Sequence, residues 1–377
     1  MMWNVPLFEL NYDDAELTAV MTVLKSQWLT MGDKINLFES DFSKFLGDVS
    51  YSTAVTNCTA ALHMALIAQE IGVGDEVIIP ALTFIADANV VAMTGARPVL
   101  ADCTSYDNWN VSARTITEKI TDKTKAVIVV HFAGYPCEMD DIIALCKERG
   151  LILIEDVAHA PGATYKGRAC GTMGDIGCFS FFSNKNLSIG EGGMFVTGNS
   201  DIHQKARYLR SHGMTTLTLD RHKGRAISYD VAQPGLNYRM DEIRAALGLV
   251  QLEKLPENNL QRGRLVQRYN EKLQNVAGIT IPFLDLQEIE SVYHIFPLLL
   301  DATVDRVVVI EALKKAGIQS SIHYPSFRTF TAYQDVNFPA TPLADEISSR
   351  ELTLPLFPTM TFEQVDLVVG SLLKALN

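Results

Sequence analysis

The pattern of hydrophobic and polar positions changes about two-thirds of the way along the chain. In the first part, short apolar segments rich in β-branched residues alternate with helical stretches. The segments expected to be strands are 51–57, 76–80, 97–103, 125–134, 151–159, 178–182 and 194–198. Continuous apolar runs are typical of strands buried on both faces, and alternation with helices is typical of parallel crossover connections. The pattern therefore predicts a doubly wound α/β domain that binds ligands at the carboxyl ends of its strands.

Two helices are predicted ahead of this region. Residues 13–25 have an amphipathic pattern, with acidic residues in the first turn and Lys25 near the end, as the helix dipole favours. Residues 37–47 form the second predicted helix, which Gly47 ends.

A different pattern begins near residue 240. A long helical stretch, with an interruption expected near Pro256, is followed by shorter α and β segments. We therefore predict a large α/β domain over residues 1–250 and a smaller α+β domain over residues 251–377.

Composition narrows the classes of function. The 377 residues are 47% hydrophobic, enough for a sizeable core, and the net charge of −12 argues against a nucleic-acid partner. No apolar stretch is long enough to cross a bilayer and no signal peptide is evident, so we expect a cytoplasmic protein without a membrane partner. The six cysteines have no C-x-x-C pair, so we expect reduced thiols and no metal site.

Asp156 ends the apolar run LILIED. A buried carboxylate is costly unless it is paired. An Asp at a strand end can pair with the protonated pyridine nitrogen of pyridoxal 5′-phosphate (PLP), which keeps the ring an electron sink. Taken alone, Asp156 fits a capping role at least as well.

Lys185 lies between an aromatic strand and the glycine-rich GEGG loop. Burial and nearby cationic groups would lower the pKa of such a lysine and free its amine to form a Schiff base. The alternative is an ordinary solvated lysine, although the flanking phenylalanines do not favour a surface position.

The turn Asn57-Cys58-Thr59-Ala60 precedes an apolar helical run. The first N–H groups of a helix are unpaired, so this turn is a candidate phosphate site to which the Thr59 hydroxyl can contribute. A plain Asn or Thr cap is an equally good interpretation.

Ser180 and Phe84 complete the candidates from local sequence. Ser180 lies on the predicted strand 178–182, five residues before Lys185, and could reach a phosphate or could simply bond to nearby backbone. Phe84 could stack on a pyridine ring or could be a core residue.

A series of motifs in order along nearly the whole chain resembles the DegT/DnrJ/StrS family of PLP-dependent sugar aminotransferases. The motifs are SQWLTMG (26–32), NCTAALHMAL (57–66), GDEVIIPALTFIADANVV, IEDVAHAPGATYKGR, SFFSNKNLSIGEGGMFVT, RSHG (210–213), GLNYRMDEIRAALGLVQL (235–252), HYP (323–325) and LPLFP (354–358). The resemblance implies a fold type I homodimer whose active sites lie at the subunit interface.

By position in these motifs, the resemblance implies specific roles for three catalytic residues. Lys185 carries PLP and shuttles protons, Asp156 pairs with the pyridine nitrogen, and His159 lies beside the ring and its 3-hydroxyl.

The resemblance also implies the binding residues. Cys58, Thr59 and Ser180 form the phosphate cradle, and Phe84 stacks on the ring. The remaining implied contacts are Asn237, supplied to the phosphate by the neighbouring subunit, Arg239, which meets an anion of donor or acceptor, and the substrate-binding pair His323 and Tyr324. The chain departs from the usual Ser-Gly at the phosphate turn, where Asn57-Cys58 adds bulk.

The reaction implied is transfer of an amino group, by family habit from L-glutamate, to C3 or C4 of a nucleotide-linked keto-deoxy sugar, with the aminated cofactor PMP as intermediate. Surface polysaccharide or glycan biosynthesis is the pathway expected. Some relatives are dehydratases with His in place of the cofactor lysine, and others are regulators. The intact Lys185 favours the aminotransferase. A cysteine desulfurase would need a reactive cysteine on a mobile loop, and no cysteine here fits.

Overall fold

A computed structural model describes residues 3–215 and 228–376. The strands of the described residues are β1 Tyr51–Val55, β2 Glu76–Pro80, β3 Arg97–Ala101, β4 Thr124–Val130, β5 Ile152–Asp156, β6 Thr164–Tyr165, β7 Arg168–Ala169, β8 Ile176–Ser180, β9 Gly193–Thr197, β10 Ile279–Thr280, β11 Ile289–Glu290, β12 Phe296–Leu300 and β13 Glu351–Leu354. The longer helices are α1 Asp14–Ser26, α2 Asp33–Phe45, α3 Cys58–Ala68, α4 Ala86–Met93, α5 Ala113–Thr117, α6 Met139–Arg149, α7 Ser200–Arg210, α8 Glu242–Leu273, α9 Arg306–Lys315, α10 Pro342–Arg350 and α11 Phe362–Leu376.

A seven-stranded sheet forms the centre of the α/β part, in the order β1-β9-β8-β5-β4-β2-β3. Strand β9 is antiparallel to both of its neighbours, and the other pairings are parallel. Strands β2, β8 and β9 are buried at every position, which explains their unbroken apolar runs. The predicted mostly parallel α/β sheet is confirmed, with each predicted strand present.

Helix α3 connects the sheet to the candidate phosphate turn. It begins directly after β1, and eight of its eleven residues are buried against the sheet and the neighbouring helices. Alanine at several of these positions keeps the helix close to the strands. The amino end of α3 is thereby fixed near the carboxyl ends of the parallel strands.

A second, antiparallel sheet lies in the C-terminal part, in the order β10-β12-β13. Its core includes residues of α8, α9 and α11 and also Val5 from the start of the chain. The backbone N–H groups of Asn4 and Val5 donate to the Gly317 carbonyl, at 2.8 and 3.2 Å. The N-terminal residues therefore pack with the C-terminal sheet.

Helix α8 is continuous from Glu242 to Leu273, so the predicted interruption at Pro256 is wrong. Proline removes one backbone hydrogen bond, but tertiary packing on both sides of Pro256 holds this helix. Before the proline, Lys254 bonds to Asp13 and Glu16 at the start of α1, and after it Arg268 bonds to Asp366 of α11. The helix also crosses residue 250, and the division into domains 1–250 and 251–377 stays a prediction.

Within the described ranges, no helix combines the length and the apolar character needed to cross a membrane. All six cysteines are buried and unpaired.

Glu351 is a fully buried carboxyl group at the start of β13. It accepts hydrogen bonds from the Thr353 hydroxyl and from the His323 N–H, the latter at 2.7 Å. Burial nevertheless raises the pKa of Glu351 to about 8. A carboxyl whose pKa is raised by folding stabilises the folded state fully below its unfolded pKa, and this contribution is lost as pH rises through the folded pKa.

We therefore predict a pH-dependent difference in stability between the wild type and Glu351→Gln. The free energy of unfolding of the wild type minus that of the variant should fall by on the order of 1–3 kcal/mol between about pH 5 and pH 8 and level off above. Urea unfolding at several pH values measures it, and other titrating groups cancel because both proteins share them. A difference that does not vary with pH would contradict the prediction.

Candidate active site

A cavity of about 580 Å³ lies at the carboxyl ends of the parallel strands, where a doubly wound sheet is expected to bind its ligand. Residues from the C-terminal part cover it from the opposite side. The predicted site residues that line it are Cys58, Thr59, Phe84, Asp156, His159, Ser180, Lys185, His323 and Tyr324. The structure thus brings together residues that are up to 266 positions apart in the chain.

Asn237 and Arg239 are not among the residues that line the cavity. Asn237 is exposed and pairs with Ser211 in an isolated bridge, and Arg239 pairs with Val55. An exposed position outside its own cavity is compatible with Asn237 serving a neighbouring subunit. The roles of both residues stay predictions.

The turn before α3 offers unpaired backbone donors. The Asn57 side chain caps the helix by accepting the Ala60 N–H at 2.8 Å. In the described parts of the chain, no acceptor is recorded for the N–H groups of Cys58 and Thr59. These groups belong to the first turn of a helix, where the dipole favours an anion, and the exposed Thr59 side chain lies beside them.

Gly193 allows β9 to lie directly against this turn. A Cβ at Gly193 would lie 2.5 Å from the carbonyl carbon of Asn57 and 2.7 Å from the Cys58 nitrogen. Both distances are shorter than real Cβ contacts, so a side chain here would displace the turn. Gly193, the last glycine of the GEGG loop, therefore sets the position of the unpaired N–H groups.

Asp156 is held at the end of β5 by its own backbone. Its Oδ1 accepts the Ala158 N–H at 2.7 Å, and the Cys58 sulfur lies 3.9 Å from the same oxygen. Burial raises the pKa of Asp156 above its ordinary value, while the Ala158 hydrogen bond and the positive charge of Lys185 act in the opposite direction.

Asp87 is a second carboxyl group at this point, and sequence reasoning missed it. It is fully buried and accepts the Thr83 hydroxyl at 2.6 Å through Oδ2. Burial and the adjacent Asp156 carboxylate raise the pKa of Asp87 well above its ordinary value. The raised pKa favours the protonated form of Asp87, which reduces the charge repulsion between Asp87 and Asp156.

Lys185 is partly exposed to the cavity. Burial lowers the pKa of its amine to about 8, against the attraction of Asp156, which acts to raise it. A neutral amine is therefore available at mildly alkaline pH, as covalent catalysis by lysine requires.

Three neutral imidazoles surround this amine. Burial lowers the pKa of His159 and His294 well below the ordinary value and that of His323 to about 3, and the positive charge of Lys185 adds to each shift. His159 accepts the Ala133 N–H through Nδ1 at 3.3 Å, so its Nε2–H donates to the Tyr324 oxygen at 3.0 Å. The Tyr324 hydroxyl hydrogen remains for another acceptor.

Several further lining residues were not predicted. They include Thr83, Asn184, Glu191, Ser321 and Ile322. Glu191 lies within the GEGG loop and Thr83 within the TF motif, so a signal existed for both. His294, which contacts Lys185 from 109 positions away, had none in local sequence.

The set fits a phosphorylated pyridine aldehyde. A lysine amine, a buried carboxylate, a helix end with free N–H groups and the half-exposed Phe84 ring share one cavity of a size typical for cofactors. A larger groove of about 870 Å³ lies between α8 and residues 283–293. The described residues that line it include no lysine, histidine or cysteine, so it lacks this chemistry.

Comparisons with known proteins agree with this site. The model of the DegT/DnrJ/EryC1/StrS aminotransferase family matches residues 11–373. The spore coat polysaccharide biosynthesis protein SpsC of Bacillus subtilis is 38% identical over 94% of this chain and 92% of its own length.

Solved structures agree as well. The putative sugar aminotransferase Spr1654 from Streptococcus pneumoniae, in its PMP form, is 30% identical with a TM-score of 0.92 over 99% of both chains, and it is also known in a PLP form. PseC of Helicobacter pylori, an aminotransferase in pseudoaminic acid biosynthesis, is 28% identical with a TM-score of 0.90 over 100% of this chain and 99% of its own. The chain therefore belongs to the DegT/DnrJ/EryC1/StrS aminotransferase family and is a PLP-dependent sugar aminotransferase of fold type I.

Proposed function

We propose that this enzyme carries PLP on Lys185 and transfers the amino group of L-glutamate to C3 or C4 of a nucleotide-linked keto-deoxy sugar. The observation that carries the proposal is the cavity in which Lys185, Asp156 and the open amino end of α3 meet. All three line one cavity, and the Cys58 sulfur lies 3.9 Å from Asp156 Oδ1, so together they could hold the aldehyde, the ring nitrogen and the phosphate of one molecule.

Different residues of the chain would bind different parts of the cofactor. The Cys58 and Thr59 N–H groups, with the hydroxyls of Thr59 and Ser180, would hold the phosphate, and Asn237 of a second subunit would add a further contact. Phe84, which is 54% exposed to the cavity side, would cover one face of the ring. Held at both ends, the ring keeps a fixed orientation toward the substrate, which is a rate effect of positioning.

PLP, when bound, supplies a carbonyl group that accepts the amino group and a ring that withdraws electrons from the reacting carbon. Lys185 Nζ, neutral near pH 8, would take the proton from the donor Cα and return a proton on the other side of the transfer. Asp156 would keep the ring nitrogen protonated. The raised pKa of Asp87 favours its protonated form, which would oppose the Asp156 charge less than a second carboxylate would.

His159 would lie beside the cofactor ring and its 3-hydroxyl, while His323 and Tyr324 would contact the substrates. The Tyr324 hydroxyl, which accepts from His159, keeps its own hydrogen for a substrate oxygen. Arg239 would supply the cation for a carboxylate of the donor or an anion of the acceptor. His323 reaches the cavity wall with its Nδ1 bonded to Thr353 at 2.8 Å, so its ring is held in one orientation.

Surface polysaccharide or glycan biosynthesis is the pathway that we propose, in the cytoplasm and as a homodimer with shared active sites. SpsC and PseC, named for spore coat polysaccharide and pseudoaminic acid biosynthesis, support this assignment. Lys185 supports amino transfer over dehydration, because a dehydratase of this family has no lysine at that position.

One prediction of the proposed function concerns Lys185 and the visible spectrum. The purified enzyme should show the absorption band of a conjugated imine, and L-glutamate should remove it as the cofactor becomes aminated. Lys185→Ala should lack the band. The activity of Lys185→Ala, measured as 2-oxoglutarate release, should be lower than that of the wild type by a factor on the order of 10³ or more, because both covalent attachment and proton transfer are lost.

One control variant and two contrasting outcomes separate the parts of this proposal. Lys147→Ala changes an exposed lysine of α6 and should leave the spectrum unchanged. If the band persists with glutamate but disappears with another amino acid, only the identity of the amino donor in the proposal would change. An unchanged band in Lys185→Ala would refute the assignment of the lysine.

A second prediction concerns Gly193. The Gly193→Ala side chain would press on the turn between Asn57 and Cys58 and should weaken PLP binding about tenfold, or ~1.4 kcal/mol. Pyridoxal, which lacks the phosphate, should bind the variant and the wild type equally. Fluorescence quenching on addition of either compound measures the affinity.

Gly198→Ala is the matched control, because a Cβ there meets only the Val49 carbonyl oxygen, at an ordinary 3.7 Å. It should bind PLP like the wild type. If Gly193→Ala weakened the binding of pyridoxal as much as that of PLP, the change would have disturbed the whole cavity. The proposed role of the turn in binding the phosphate would then be refuted.

A further inference from the structure

His294 is a buried imidazole that contacts the Lys185 amine from the C-terminal part of the chain. We infer that His294 is a positioning residue whose Nε2 accepts a hydrogen bond from Lys185 whenever that amine is free, and so holds the lysine at the reaction centre during half of the catalytic cycle. This inference rests on the proposed role of Lys185 as the cofactor-bearing base. Lys185 Nζ lies 3.5 Å from His294 Nε2, a long but direct hydrogen bond.

The tautomer of His294 follows from a chain of hydrogen bonds that ends on backbone carbonyls. The Asn186 amide nitrogen donates to the Val292 carbonyl and to Asn259 Oδ1, both at 2.8 Å. Asn259 in turn donates to the Pro161 carbonyl at 3.1 Å. Carbonyls accept only, so neither amide can be reversed without losing these bonds.

Asn186 Oδ1 is therefore the atom that faces His294, and it lies 3.0 Å from Nδ1. An amide oxygen also accepts only, which places the ring hydrogen on Nδ1 and leaves a lone pair on Nε2. The lone pair is directed at Lys185. A lysine amine in either charge state can donate to it.

The surroundings of His294 keep this lone pair available. The His159 ring packs on His294 with centroids 4.4 Å apart, and Arg262 donates to the His294 carbonyl at 3.1 Å. Together with burial and the charge of Lys185, these groups hold the pKa of His294 well below its ordinary value. A protonated His294 would repel the lysine, and the site disfavours that form.

The functional consequence follows from the ping-pong reaction. Once the substrate has displaced it, the Lys185 amine must stay close to the reacting carbon, although a free lysine side chain can adopt many rotamers. His294 Nε2, as a single fixed acceptor, restricts those rotamers. It does not take the proton from the Lys185 amine, because a neutral imidazole in this site is a poor base. A carboxylate in the same position would form an ion pair and reduce the supply of neutral amine.

The test measures the Lys185 amine in the cofactor-free, full-length chain. Acetic anhydride acylates only the neutral amine, and mass spectrometry of the Lys185 peptide over a pH series gives its pKa. His294→Phe keeps a ring of similar size but removes the acceptor, which stabilises the ammonium form. The pKa of Lys185 should fall by about one unit, so that its acylation near neutral pH is about tenfold faster.

Two further variants separate acceptor loss from altered packing. Asn186→Leu removes the bond that fixes the tautomer and should shift the pKa of Lys185 in the same direction by a smaller amount. His294→Gln, whose amide oxygen can accept, should restore the wild-type value. His323→Phe removes another neutral imidazole from the cavity wall, one bonded to Thr353 and not to Lys185, and should leave the pKa of Lys185 unchanged.

Thermal unfolding and circular dichroism establish that each variant is folded. If His294→Phe does not fold, Asn186→Leu and His294→Gln still decide the question. An unchanged Lys185 pKa in a folded His294→Phe, or an equal shift in His323→Phe, would overturn the inference.

The absorption band separates this outcome from failure of the proposed function. If the wild type shows the band and loses it with glutamate but the His294 variants leave the Lys185 pKa unchanged, only the role of His294 is refuted. If Lys185 carries no cofactor, the proposed function fails, whatever the amine titration shows.

Discussion

The burial of the Lys185 amine beside the Asp156 carboxyl group is the constraint on which the arrangement of the site depends. Burial alone favours the neutral amine, and the Asp156 charge alone favours the ammonium form. Their opposition leaves the pKa near 8, where one group can act as both nucleophile and proton carrier. A second charge on Asp87 would upset this balance. Burial and the adjacent Asp156 raise the pKa of Asp87 well above its ordinary value, against the Thr83 hydrogen bond, which acts to lower it.

Backbone groups fix the orientation of the side chains around the amine, and with it which of their atoms donate and which accept hydrogen bonds. Asp156 is oriented by the Ala158 N–H and His159 by the Ala133 N–H, while His294 is oriented through Asn186 by the Val292 carbonyl. Backbone donors and acceptors cannot be reversed by rotation of a side chain. The cavity is thus preorganised, with little reorganisation required when charge moves during the reaction.

The strands, most helices and the main site residues were predictable from the sequence because they depend on local patterns. Apolar runs rich in β-branched or aromatic residues predicted every strand of the large sheet, with Asp156 at the end of one strand and Lys185 shortly after another. Asp87 could not be recognised, because its significance comes from contact with a residue 69 positions later. The same holds for Glu351, whose burial depends on the small sheet. The helix interruption predicted near Pro256 is absent because tertiary packing overrides the local propensity of proline to break a helix.

The continuity of α8 past Pro256 explains how two distant parts of the chain meet at one amine. The helix first packs on α1 and α2, where Gly248 lets Phe38 approach closely. Beyond the proline, Asn259 bonds to Asn186 next to Lys185, and Arg262 bonds to the His294 carbonyl. A break at Pro256 would separate both residues from the half of the helix that is anchored on the large sheet. The lysine and its imidazole partner would then no longer share a rigid support, so the helix must tolerate the lost backbone bond.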